Sequence, residues 1–216
     1  MKLIAVNGSP RKNWNTAELL ANVVNGASAA GSSTNTVHLY DLDFKGCRSC
    51  FACKYRDGGS YGTCAINDGL TPILERIREE ASALVLGTPI YFGSMTGEAR
   101  SFLERLLFPA TVYSVPARSL FPRRIKTAIL YTMNVSEQGS RQRKYDVLMT
   151  TAATYMKNVF GDAETLCCYD TYQFPDYSRV EMELYDPTQK AARKAEVFPI
   201  DCRNAYLLGR RLSGSE

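Results

Sequence analysis

The sequence predicts an α/β protein: a doubly wound, five-stranded parallel sheet with helices on both faces. Three observations carry this expectation. Leu3-Ile4-Ala5-Val6 and Ala83-Leu84-Val85-Leu86-Gly87 are short, unbroken apolar runs that end in turn residues, as strands buried on both faces do. Between such runs lie longer segments whose apolar residues recur at helical spacing. Strands alternating with helices, with no internal repeat, imply a parallel sheet covered on both sides.

The elements follow in order. After the first strand, Thr16 to Ala30 reads as a helix with Ala17, Leu19, Leu20, Val23 and Val24 on its apolar stripe, closed by Gly31. Asn35 to Tyr40, rich in β-branched and aromatic residues, is the second strand. Phe44 to Asn67 holds Gly and Cys without a period and reads as a long loop. Leu70 to Glu80 is helical, Ala83 to Gly87 is the third strand, and Gly97 to Phe108 is a helix ended by Pro109. Lys126 to Tyr131 is strand four, Arg141 to Phe160 a helix, and Ala163 to Tyr169 strand five. The last helix falls within Gln189 to Arg211, with a restart at Pro199. The whole chain, 1–216, is expected to form one domain with a cysteine-rich loop at 44–67 and a C-terminal extension from about residue 169.

Composition narrows the function classes. Of 216 residues, 45% are hydrophobic and 22% charged, an ordinary globular balance, and the formal charge is only +4. The densest basic cluster, Arg141-Gln142-Arg143-Lys144, is interrupted and reads as a solvated face, so no nucleic-acid partner is expected. No apolar run approaches the roughly 20 residues that span a bilayer, so no membrane partner is expected either. The N-terminal run breaks at Asn7-Gly8 with no small-residue cleavage site behind it. A cytoplasmic protein is expected, whose seven cysteines are reduced or ligating.

In a parallel sheet, ligands sit beyond the carboxyl ends of the strands, near the point where strand order reverses. The loops after strands one, three and four carry the least generic sequence. The first, Gly8-Ser9-Pro10-Arg11-Lys12-Asn13-Trp14-Asn15-Thr16, runs straight into a helix, whose N-terminus offers unpaired N–H groups and the positive end of its dipole. Ser9, Asn13, Asn15 and Thr16 add hydroxyl and amide donors, and Arg11 a guanidinium fork. The loop lacks the Gly-Lys-Ser/Thr of a P-loop and the Gly-x-Gly-x-x-Gly of dinucleotide sites, which points to a monophosphate. The competing reading is a polar loop capped at Asn15.

After strand three, Thr88-Pro89-Ile90-Tyr91-Phe92-Gly93 places bulky side chains where the chain turns toward solvent. Gly93 and Gly97 permit φ > 0 or close backbone approach. Ile90, Tyr91 and Phe92 need a partner: a flat tricyclic ring, the neighbouring helix or a second subunit.

Together the two loops, with Phe102-Leu103-Glu104-Arg105, resemble the NADPH-dependent FMN reductase family, which includes iron–sulfur flavoproteins within the flavodoxin-like superfamily. The resemblance covers about the first 135 residues. It implies that Ser9, Arg11, Asn13, Asn15 and Thr16 hold the FMN phosphate, and that Pro89, Ile90, Tyr91, Phe92 and Gly93 meet the isoalloxazine. Asn134, in the loop Thr132 to Val135, is implied at the ring's other side. A Gly is common in the family where this chain has Trp14, a residue that could cover the phosphate or a partner subunit.

Cys47-x2-Cys50-x2-Cys53, with Cys64 beyond a ten-residue gap, has the residues of a four-thiolate site. The iron–sulfur relatives close their motif with a much shorter final gap. Reduced thiols in a structured loop are therefore the preferred reading, ahead of a 4Fe-4S cluster, with zinc third. Cys167 and Cys168, adjacent in a strand, point to opposite faces and read as packing, and His38 reads as structural.

The function implied is an NAD(P)H oxidoreductase in which nicotinamide reduces bound flavin and a small acceptor (flavin, quinone or metal) reoxidises it. With the cofactor carrying the chemistry, no catalytic side chain is named. The alternatives are a flavodoxin-type electron carrier, disfavoured by the slightly basic charge, and a redox-sensing flavin module. Aromatic density in the tail (Tyr169, Tyr172, Phe174, Tyr177, Tyr185, Phe198) suggests a homo-oligomer or, nearly as well, a local satellite core.

Overall fold

The computed structural model describes residues 1–214. Strands β1 (Lys2–Asn7), β2 (Ser33–His38), β3 (Ala83–Tyr91), β7 (Lys126–Thr132) and β8 (Glu164–Cys168) form a parallel sheet in the order β2-β1-β3-β7-β8. A two-residue strand β4 (Ser94–Met95) folds back antiparallel on β3, and β5 (Thr111–Val112) pairs with β6 (Arg118–Ser119) in a separate hairpin. Strand order reverses at β1, which lies between β2 and β3.

Alternation along the strands sorts the core into two layers. Leu3, Ala5, Val85 and Leu130 face α1 (Asn15–Ala29) and α7 (Phe198–Leu212). Ile4, Val6, Leu84, Leu86 and Ile129 face α2 (Thr71–Glu80), α3 (Gly97–Ala110) and α5 (Tyr145–Phe160). Cys167 joins the second layer and Cys168 the first, the opposite-face placement expected of adjacent strand residues.

The sequence expectations differ from the fold mainly at element ends. Helix α3 does not stop before Pro109, which occupies its last turn. Pro109 forfeits the one N–H that would bond the carbonyl four residues back, and the helix ends one residue later. The helix expected from Arg141 is two: α4 (Glu137–Gln142), capped by the Ser136 hydroxyl accepting from Gly139 N–H, and α5. Lys144, at φ 58°, breaks them apart. The last helix is likewise two, α6 (Pro187–Glu196) and α7, joined at Val197. The second strand starts two residues earlier, and Leu39–Asp41 forms a 3-10 turn.

Helices α1 and α7 make the closest helix pair, and glycine permits it. A Cβ at Gly26 would lie 1.9 Å from the Tyr206 carbonyl oxygen, and one at Gly209 2.0 Å from that of Val23.

Two side chains pin the cysteine-rich segment to α3. Arg105 is buried, and its guanidinium holds the segment at both ends. Nη1 donates to Lys45 O at 2.9 Å and Nη2 to Ile66 O at 3.1 Å, while both nitrogens grip the Asp68 carboxylate at 2.8 and 3.2 Å. Nε donates to Cys64 Sγ at 2.9 Å. Lys54, on a 3-10 turn (Ala52–Lys54), binds the carbonyls of Phe108 and Thr111 at the end of α3, where a cation suits the helix dipole. Burial alone would push the Asp68 carboxyl up, but the Arg105 hydrogen bonds and the Leu70 N–H outweigh it and hold it below the usual carboxylate range.

Two outcomes follow. Gly26→Ala should lower the urea midpoint at unchanged slope, by at least the roughly 1–3 kcal/mol of an overpacked core. A depressed carboxyl stabilises the fold above its unfolded pKa of about 3.9 and loses that contribution as pH falls through the folded value. Asp68→Asn should therefore flatten the stability–pH curve below about pH 4 in acid unfolding, and an unchanged slope would count against the ion pair.

Candidate functional site

At the carboxyl edge, sheet register brings three loops together: Asn7 pairs with Gly87, Pro89 with Thr132, and Thr132 with Cys168. Buried Asn7 shapes the first loop. Its Oδ1 accepts from Ser9 N–H at 2.9 Å, and its amide nitrogen meets His38 Nδ1 at 3.1 Å, a structural role for that histidine. Gly8 N–H donates to Gly87 O at 2.8 Å, and Thr96 Oγ1 donates to Gly8 O at 2.6 Å, so the loop is tacked to β3 and to the start of α3. A Cβ at Gly8 would sit 2.9 Å from that of Ala99.

The N-cap of α1 is Trp14, at φ −125°, not Asn15, and no side chain caps the helix. Its first-turn N–H groups therefore face the pocket without an internal partner, beside the buried hydroxyls of Ser9 and Thr16. Thr16 Oγ1 and Thr132 Oγ1 share a hydrogen bond at 2.7 Å, which ties α1 to the end of β7.

A cavity of about 240 Å³ opens here, lined by Ser9, Arg11, Asn15 and Thr16 from the first loop and Pro89, Ile90 and Tyr91 from β3. Trp14 of the first loop, Thr132 at the end of β7, and Met133 and Asn134 beyond it also line the cavity. Eight of the residues singled out from sequence thus meet in one place. Asn13, Phe92 and Gly93 do not line it. Asn13 points to solvent, and the chain turns back at Phe92 (φ 49°) and Gly93 (φ 77°), a two-residue hairpin that leaves the Phe92 ring fully exposed. Gly97 opens α3 and takes no positive φ.

Sequence reasoning missed Thr171 and Gln173, which also line the cavity. They follow β8, the edge strand beside β7, so the loop after strand five reaches the same edge as the others. That loop is zipped to the loop after β7: Thr171 N–H donates to Met133 O, and Asp170 N–H to Val135 O. Buried Lys190 of α6 clamps both, donating to Asn134 O at 2.6 Å and to the Asp170 carboxylate. The same strap meets the first loop. Arg11 donates to Gln173 O at 2.6 Å, and Trp14 Nε1 and the Asn15 amide donate to Tyr172 O at 3.1 and 2.8 Å. Lys194 lies 4.8 Å from the Tyr172 ring centre and 5.6 Å from that of Trp14. Asn134 Oδ1 is buried beside the cavity with no hydrogen-bond partner.

Cys47, Cys50, Cys53 and Cys64 line a second, much smaller cavity against Arg105, Phe108 and Pro109. All four are free thiols. Burial pushes the Cys53 thiol up, and a backbone hydrogen bond from Ala52 with Arg48 beside it pulls exposed Cys50 down. Among the described residues no three Cys, His, Asp or Glu side chains are drawn close enough to hold a metal ion. A single ion bonds thiolates at about 2.3 Å and needs sulfurs crowded around one point. A four-iron cluster is several atoms across and takes its thiolates from further apart, and four cysteines facing one cavity supply its donor set.

Among the described residues no helix is long and apolar enough to cross a membrane. The fold resembles an NAD(P)H:quinone oxidoreductase from Methanothermobacter marburgensis (TM-score 0.71, 15% identity, 98% of each chain). It also resembles an azoreductase from Bacillus anthracis (TM-score 0.69, 12% identity, 98% of this chain and 99% of that one). An archaeal flavodoxin aligns with a TM-score of 0.51 at 14% identity, over 99% of this chain and 97% of its own, and the fold is flavodoxin-like. In sequence, an iron–sulfur flavoprotein of Methanocaldococcus jannaschii is 27% identical over 169 residues, 78% of this chain and 80% of its own. One from Archaeoglobus fulgidus is 38% identical over 105 residues, 49% of this chain and 48% of its own. The match thus spans about half the length of that relative, and of one from Methanosarcina thermophila at 52%. The model of the family described as NADPH-dependent FMN reductase matches residues 1–160, and the chain belongs to that family.

Proposed function

We propose that this chain is an FMN-dependent NAD(P)H oxidoreductase that passes electrons from a nicotinamide to a small acceptor such as a flavin, a quinone or a metal ion. The observation that carries this reading is the cavity at the carboxyl edge, which joins an uncapped helix N-terminus to an apolar wall and an unpartnered buried acceptor. FMN has a phosphate, a flat apolar ring and ring N–H and C=O groups, and the cavity has a partner for each. Ser9, Thr16, the first-turn N–H groups of α1 and the remaining donors of Arg11 suit the phosphate. Pro89, Ile90 and Tyr91 suit the ring, and Asn134 Oδ1 suits a ring N–H.

When bound, FMN supplies a ring that accepts hydride and releases electrons, and the protein supplies binding, orientation and field. The Thr16–Thr132 bond and the Lys190 clamp hold the walls of the cavity in register before any ligand arrives. The names of the fold neighbours, a quinone oxidoreductase and an azoreductase, support an acceptor of small, planar kind.

A second reading concerns the cysteine loop. Four cysteines on one cavity, together with relatives named iron–sulfur flavoproteins, favour a 4Fe-4S cluster over the reduced-thiol reading that the long Cys53–Cys64 gap supports on its own. Self-association is proposed on a different footing from the tail aromatics. Tyr172 and Phe174 each stack edge-to-face on buried Tyr177, at 4.9 and 5.4 Å, and so form a satellite core. The surface in search of a partner is instead the fully exposed Phe92 beside the cavity.

The purified protein should show the visible bands of oxidised flavin and oxidise NADPH or NADH repeatedly when a quinone or free flavin is present. Bound flavin with negligible turnover would make it a carrier or sensor. Thr16→Val, which removes one hydroxyl without changing shape, should weaken FMN binding about 10-fold, the effect of one hydrogen bond of roughly 1.4 kcal/mol, measured by quenching of flavin fluorescence. Sedimentation should show a dimer or larger assembly that Phe92→Ser loosens, and a monomer at all concentrations would end the self-association reading.

A further inference from the structure

The cysteine cavity contains one feature that neither the motif spacing nor the likeness to iron–sulfur flavoproteins assigns. Cys64 stands ten residues beyond Cys53, across a glycine-rich stretch whose closure costs entropy. Something must bring it back to the other three. Arg105 does so: its five N–H donors go to Lys45 O, Ile66 O, the two Asp68 oxygens and Cys64 Sγ, so every donor has an acceptor on the cysteine segment or at its exit. Four of those bonds lock the guanidinium plane, which leaves Nε aimed at the sulfur with no freedom to turn. The side chain is fully buried, in surroundings where a hydrogen bond to sulfur and a fixed positive charge act with little screening.

We propose that Arg105 is a positioning residue for a cluster held by Cys47, Cys50, Cys53 and Cys64, delivering Cys64 as the fourth ligand and raising the cluster's reduction potential through the Nε–H···Sγ bond. This rests on the cluster reading above. A cluster on four thiolates is anionic and gains a further negative charge when it takes up one electron, with no bond made or broken. A donor hydrogen-bonded to a ligand sulfur stabilises the more negative form more than the less negative one, and so draws the potential upward. Of the other nearby cations, Lys54 has its ammonium engaged by the Phe108 and Thr111 carbonyls, and Arg48 stands with Cys50 at the exposed rim, which leaves Arg105 as the buried donor to a cysteine sulfur.

The test uses the full chain, reconstituted anaerobically with ferrous iron and sulfide and carrying nitrogen-isotope-labelled arginine. Iron and acid-labile sulfide are assayed first. A wild-type chain that retains neither after desalting overturns the cluster reading and the role of Arg105 together. In a loaded chain, pulsed EPR of the reduced centre is expected to show a hyperfine coupling to arginine nitrogen that persists in Arg48→Lys, which removes the arginine beside Cys50, and a coupling lost in Arg48→Lys overturns the assignment of Arg105. A loaded wild type without that coupling overturns the assignment of Arg105 while the cluster reading stands. In potentiometric titration, Arg105→Lys, which keeps the charge but loses the fixed Nε–H, is expected to shift the midpoint downward. Asp68→Asn, which removes the paired charge but keeps Nε, is expected to give no downward shift. Equal midpoints for wild type and Arg105→Lys overturn the proposal. The coupling in Arg48→Lys requires no change at Arg105, so it decides the matter even where Arg105→Lys fails to fold.

Discussion

The buried guanidinium of Arg105 is the interaction on which the least regular part of this protein depends. A residue placed on the inner face of α3 would ordinarily be apolar, and a buried cation is costly unless its charge and every donor are matched. Here they are matched, and by groups that lie outside any sheet or helix ladder, with Leu70 and Thr71 as their other partners. Lys45 and Cys64 to Asp68 lie at opposite ends of a segment with a single short 3-10 turn, so no sheet or helix ladder holds their backbone. The desolvation of Arg105 is thereby exchanged for a fixed loop. Removing the guanidinium would leave Asp68 and two carbonyls without their partner, and breaking such a buried pair costs about 3–5 kcal/mol.

A second constraint comes from topology alone. All five long strands run the same way, so each chain exit that follows a strand appears at one edge of the sheet. The reversal of strand order at β1 opens a crevice between the loops after β1 and β3, while β7 and β8 add theirs alongside. Such an edge suits a ligand because loops that cross above the sheet bring backbone N–H groups, hydroxyls and apolar side chains together. The buried Asn7 side chain and the Thr16–Thr132 hydroxyl pair then convert that proximity into a definite shape.

Much of this was legible in the sequence because parallel strands buried on both faces leave an unmistakable mark. Leu3 to Val6 and Ala83 to Gly87 have no alternation to confuse, and the register of β1 with β3 follows from matching their apolar spans. The first loop was legible because its donors sit directly before a helix. What was not legible depends on long-range contacts. Nothing local in Thr171 or Gln173 says that an edge strand carries them to the cavity. Phe92 reads as a ring-facing aromatic until the φ values at Phe92 and Gly93 turn it outward. Arg105 in a helical stripe gives no local sign of its burial until its five acceptors, 37 to 60 residues away in the chain, are known.

The strap after β8 bears on how the first loop can serve an anion. Arg11, Trp14 and Asn15 already donate to the carbonyls of Tyr172 and Gln173, so part of the donor set inferred from sequence is occupied by the protein itself. This does not close the site. A guanidinium has five N–H groups and a primary amide two, and the strap engages one of each. The carbonyls fix where Arg11 and Asn15 stand, leaving the other donors oriented in advance, so an incoming phosphate meets groups whose rotamer entropy is already lost to folding. On the function proposed, the helix N–H groups and the Ser9 and Thr16 hydroxyls, which the strap does not touch, would supply the centre of the binding surface, with Arg11 at its rim. The C-terminal extension is therefore part of the cavity's architecture, and the first loop is shaped as much by residues near 172 as by its own sequence.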